Sequence, residues 1–222
     1  MTSSSKSLTR LLQLCDSASP LGAYSHSWGM ETWVQKQLLN NAHEVQSAIE
    51  HLLRLTIGPK EGVAAKIAYT CAASGDWPKL ADLNRQLSAA NWTSELHQAS
   101  IAMGARLKTL AGKLAWAEFA DDGELHHCAV FGWLCQKTGI DLPTTVSAYL
   151  YTTSSALVAA CLKLVPLGHT DGQRILANLS FAIEGTAQAC LDDKSRDISG
   201  FAPLQEWASF EHERLYSRLF QS

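Results

Sequence analysis

The chain has 222 residues, 46% of them hydrophobic, with 18 basic and 21 acidic side chains and a net charge of −3. A chain of this length buries roughly 70% of its unfolded surface, so one domain needs no metal or disulfide staple. The basic residues are scattered without a run, which leaves a nucleic-acid role unsupported. Six cysteines, widely spaced and without a C-x-x-C, read as reduced thiols of a cytoplasmic protein; no long apolar core follows Lys6, so no secretory leader is expected.

Residues 1–6 are expected to be a flexible N-terminus. Leu8, Leu11, Leu12 and Cys15 mark a short helix. It stops at Ser19-Pro20-Leu21-Gly22, where Pro20 withholds a donor and Gly22 allows a sharp turn. Ala23 to Gly29 form a shaped loop that offers Tyr24, His26 and Trp28, and Met30-Glu31 opens a new helix. Val45, Ile49, Leu52, Leu53 and Thr56 share a face that is predicted to end at Gly58-Pro59. Val63, Ile67 and Cys71 follow, stopped by Ser74-Gly75. Asp76 is an N-cap before Trp77-Pro78, and Leu80, Leu83 and Leu87 continue that helix. Trp92 to Leu114 keep a spacing of three and four for about six turns. Asp121-Asp122-Gly123 is a surface turn.

A helix carrying Val130, Phe131 and Leu134 ends at Gly139. Asp141 caps the next segment, whose stretch Leu142 to Leu162 carries no charge and is long enough to span a bilayer. Pro143 and seven Ser or Thr residues argue against a membrane span. It reads as the central apolar helix, about residues 141–163, of a bundle. Pro166 and Gly168 break the chain, Ile175 to Thr186 form another stripe, and residues 192–202 are a loop. A last helix is predicted from about Pro203 to Leu219. No alternating run suggests a strand. The fold class is all-α: a single domain, 1–222, of about eight to ten helices.

Few residues suggest catalysis. His126-His127-Cys128 with Cys135 is the best metal candidate. Two helical turns separate the cysteines by about 10 Å, too far for one zinc ion. The simpler reading puts His127 at a helix start and both thiols in the core. His26 lacks a neighbouring ligand and reads as solvent- or partner-facing. Asp121-Asp122 and Asp192-Asp193 sit beside turn residues and read as solvated charges. No phosphate loop or activated nucleophile is present, so neither catalytic residues nor a cofactor are expected. The competing class is an all-α metal-dependent enzyme built on Asp121, Asp122 and His126; a blander one is an unrelated helical binding module. The C-terminus differs: Tyr216, Arg218 and Phe220 supply the residue types of interface hot spots. Lys163 closes the central helix, where a cation suits the helix dipole.

Four stretches carry a resemblance. Leu12, Leu14, Ser17, Pro20, Gly22, Tyr24, Ser27, Gly29, Met30 and Glu31 match the N-terminal signature of the urease accessory protein UreF family. His127 to Gly132 is similar to its H-x-x-V-F-G, Lys163 to Gly168 to its K-L-[VI]-P-[LF]-G, and Tyr216 to Ser222 to its Y-S-R-L-F-x-S. They lie in the family's order and span residues 11–222. Ala23 and Cys15-Asp16 depart from the commoner residues and bear only on loop shape. The resemblance implies an all-helical, homodimeric assembly factor for nickel-dependent urease. Such a factor bridges a UreD/UreH-like subunit and a UreG-like GTPase on apo-urease, with nickel and GTP belonging to the partners. It further implies a shared contact surface of Tyr24, Ser27, Gly29, Glu31, Lys163, Tyr216, Arg218, Leu219 and Phe220. The tail 216–222 would bind a partner, and Pro20, Gly22, Pro166 and Gly168 would shape the backbone.

Overall fold

The computed structural model describes residues 3–22, 26–91, 93–119, 123–195 and 197–220. Among them the chain is all-helical, without strands, and forms a single domain. The helices are α1 (Ser3–Leu14), α2 (Met30–Gln35), α3 (Ala42–Leu52), α4 (Val63–Ser74), α5 (Trp77–Ala90), α6 (Ser94–Lys113), α7 (His127–Lys137), α8 (Leu142–Leu164), α9 (His169–Asp192) and α10 (Pro203–His212). Helix α1 begins at Ser3, inside the stretch expected to be flexible.

Local chemistry sets most boundaries. Asn41, Asp76 and Asp141 each accept the amide three residues on, at 3.0, 3.0 and 2.9 Å, which satisfies donors that a helix start leaves open. Gly75, at φ 73°, ends α4. The Asp171 carboxylate takes the Gly168 amide at 3.1 Å just after the break at Pro166.

One boundary differs from expectation. Gly58-Pro59 does not end a helix: Leu53–Gly62 is a π-helical segment that joins α3 to α4 in one rod. Proline inside an α-helix lacks an amide and collides with the preceding turn. The wider π turn accommodates it. Gly58 then admits α9, since a Cβ there would lie 2.3 Å from Thr186 Cγ2. The Cys190 thiol donates to the Gly58 carbonyl at 3.2 Å.

The expected central apolar helix is α8, and it shares the centre with α7, in which every residue from Cys128 to Cys135 is buried. Helix α8 is long and apolar enough to cross a membrane, and 61% of its most apolar window is buried inside the fold. Its polar residues turn inward on backbone partners: Ser154 and Thr145 donate to the Leu150 and Asp141 carbonyls at 2.8 Å each. Tyr149 of α8 donates to Glu61 at 2.7 Å.

Candidate partner-binding surface

The two ends of the chain meet. Helix α2 packs against α10, and Thr32 donates to the Ala208 carbonyl at 2.8 Å. The approach depends on Gly29, whose φ of 85° is a left-handed conformation and whose missing Cβ would sit 3.1 Å from Ala208 Cβ. Ser27 is buried, and its hydroxyl accepts the Glu31 amide at 3.4 Å.

Glu31 is 2% exposed. One carboxylate oxygen accepts the Leu219 amide at 2.8 Å; the other accepts the Phe220 amide at 3.1 Å. The His212 ring, fully buried, bridges Glu31 at 3.1 Å and Glu95 at 2.8 Å. Glu95 in turn holds Arg218 at 2.9 Å. Lys163 Nζ stands 5.4 Å from the centre of the Phe220 ring, a cation–π geometry. Phe220 is buried, whereas Leu219 is 74% exposed and Tyr216 wholly so. The tail thus has an inward set, Phe220 with the backbone of 219–220, and an outward set, Tyr216 and Leu219.

The last helix stops at His212, not Leu219. Turn bonds from Arg214 and Leu215 to the Glu211 and His212 carbonyls close it. The tail amides beyond go to Glu31 instead of to a helical ladder, which is why periodicity alone misplaces the end. Helix α10 is also inverted relative to an ordinary surface helix. Its buried residues are Gln205, Ala208, Ser209 and His212, while Leu204, Trp207 and Phe210 are 69%, 40% and 46% exposed. Phe201, just before it, is also exposed. Polar groups inside are matched: Ser209 donates to Thr93 at 3.2 Å. Leu204, Trp207 and Phe210, at three-residue spacing, form an exposed apolar ridge of the kind that marks an interface, and Leu219 beyond the helix is exposed as well.

The other candidates fall elsewhere. Tyr24 lies outside the described residues, as do Asp121 and Asp122. His126 of that rival site lies between Ser88 and Ser100 hydroxyls at 3.1 and 3.0 Å. Burial pushes its pKa down to about 4, with help from His97 and Lys60. His127 starts α7 as expected; half-buried against Phe131 and Tyr149, it is likewise lowered to about 4 by desolvation. Burial raises the Cys128 and Cys135 thiols well above the usual range. Among the described residues no group of three or more His, Cys, Asp or Glu is placed to hold a metal. His26 is a correction: it is 5% exposed, and burial first, then the nearby Arg106 guanidinium, lowers its pKa. Sequence reasoning missed Glu95 and His212. The one available signal was that His212 interrupts the apolar spacing of α10.

Comparison with known proteins agrees with the resemblance. A family profile described as UreF matches residues 39–180. The urease accessory protein UreF of Bacillus sp. (strain TB-90) is 31% identical over 224 residues, covering 97% of this chain and 99% of that protein.

Proposed function

The chain belongs to the UreF family of urease accessory proteins, and we propose that it acts as a docking scaffold in nickel-urease assembly. In this reading it holds a UreD/UreH-like subunit and a UreG-like GTPase together on apo-urease, as a homodimer in the cytoplasm. The GTPase's nucleotide state is thereby coupled to nickel delivery. Nickel is cargo, and the chain makes and breaks no bonds itself.

The observation that carries this reading is the inverted α10 with its pinned tail. Burying His212 and Gln205 while exposing Leu204, Trp207 and Phe210 leaves apolar surface in water, which a partner would cover. The outward Tyr216 and Leu219 add exposed apolar and aromatic surface in the tail. Glu31, Ser27 and Gly29 serve the surface from below by fixing the tail and α10. Arg218 is 44% exposed while paired to Glu95, so it can reach a partner without leaving its place. Lys163 holds the Phe220 ring from the end of α8.

Co-expression with UreD-like and UreG-like proteins, followed by size-exclusion chromatography, tests the proposal. It expects one species containing all three proteins. Elution of this chain apart from both would overturn it.

A further inference from the structure

The π-helical segment presents two carbonyls to a distant loop. Pro59 carries no amide hydrogen, so the bond that an α-helix would direct from position 59 to the Leu55 carbonyl cannot form, which opens that carbonyl to another donor. The wide pitch frees a second. In an α-helix the Val63 amide would meet the Pro59 carbonyl, but here it is directed to Gly58 and Lys60. Backbone acceptors freed from a helical ladder seek other donors, and these two receive amides from far along the chain. The Leu55 carbonyl accepts the Phe201 amide at 2.9 Å, and the Pro59 carbonyl accepts the Ser199 amide at 3.0 Å. These bonds end immediately before Pro203 opens α10.

We infer that Pro59 is a positioning residue for the partner-binding surface: by interrupting the helical ladder it creates a two-carbonyl seat that fixes residues 199–201, and with them the start and facing of α10. Segment 192–202 is mostly polar, with Ile198 and Ala202 only partly buried against the core; the seat adds main-chain anchors to that contact. Neither bond lies within the hydrophobic core, whose side chains come mainly from α3 to α9 and the π-helical segment. The seat therefore acts on where the apolar ridge points rather than on whether the chain folds.

Pro59→Ala restores the amide and lets the α pitch re-form, consuming both acceptors within the helix. Hydrogen exchange on the full chain should accelerate at least about tenfold at the Ser199 and Phe201 amides, the scale of one lost hydrogen bond. Far-ultraviolet circular dichroism should stay unchanged, and capture of a UreD-like protein should weaken. A second pair guards against a folding failure in that variant. Phe201→Pro removes the donor and should lose capture, while Phe201→Ala keeps the donor and should lose less. Unchanged exchange at residues 199 and 201 in Pro59→Ala would overturn the seat, as would equal damage from the two Phe201 variants. The capture arm rests on the function proposed above. If the unaltered chain captures no such partner, that function falls and exchange alone judges the seat.

Discussion

Glu31, in the first turn of α2, accepts the backbone amide of Phe220, 189 residues later, at 3.1 Å. A carboxylate buried to 2% exposure thus closes the chain's two ends on each other through main-chain donors. Sequence at the tail can vary in side chain while this contact persists, because an amide is available at any residue but proline.

Replacing Glu31 by alanine leaves the Leu219 and Phe220 amides and one His212 nitrogen without their acceptor. Hydrogen bonds to a charged group are each worth about 1.5–3 kcal/mol. Because the three share one carboxylate their losses do not add, and chemical denaturation should show a loss of about 3–5 kcal/mol, the scale for removing one partner of a buried pair; the amides of 219 and 220 should exchange freely. Unaltered protection of those two amides would show that the tail is held by its side chains.

Gly29→Ala places a Cβ 3.1 Å from Ala208 Cβ, on a backbone at φ 85°. The left-handed conformation alone costs about 1–2 kcal/mol for a residue with a side chain. The variant should melt at lower denaturant and bind the UreD-like partner less tightly. Stability equal to the unaltered protein would mean that α2 and α10 are not in close contact.

Leu204→Ser with Phe210→Ser alters only outward side chains of α10. Exposed substitutions of this kind move stability by about 0.5 kcal/mol or less, whereas loss of anchor residues lowers affinity by tenfold or more, about 1.4 kcal/mol. The pair should therefore separate binding from folding. A large fall in stability with binding retained would place the ridge in the core.

Acid should weaken the fold through the desolvated histidines. His127 titrates near 6.5 when unfolded and is lowered to about 4 when folded, by burial. Between those values the unfolded chain binds more protons, so stability is full above about pH 6.5 and falls as pH drops toward 4. At about 1.4 kcal/mol per unit the histidine's share is on the order of 3 kcal/mol. His127→Phe should flatten the stability profile across this window in urea melts. An equally steep profile in the variant would assign the acid loss to other groups.

The parts of the fold written in local chemistry were legible. Asp76, Asp141 and Gly75 mark helix ends by what their own side chains, or the lack of one, permit. Long apolar spacing located α6, α8 and α9, and the two clustered signatures located the residues that the ends bring together. What was not legible depends on distant partners. Gly58-Pro59 reads as a stop because, in isolation, it is one; packing against Thr186 and Cys190 carries the chain through it as a π-helical join. The end of α10 was placed too late because the amides of 219 and 220 are claimed by Glu31. His212 falls where an apolar stripe on α10 would continue, and only the positions of Glu31 and Glu95 show that it lies on the buried side of an inverted helix.

The most direct measurement is partner capture by a chain truncated after Leu215, compared with the full chain. Removing Tyr216, Arg218, Leu219 and Phe220 should abolish recovery of the UreD-like subunit while the bundle core, built from α3 to α9, keeps its helical content. Undiminished recovery by the shortened chain would contradict a binding surface assembled from its two ends.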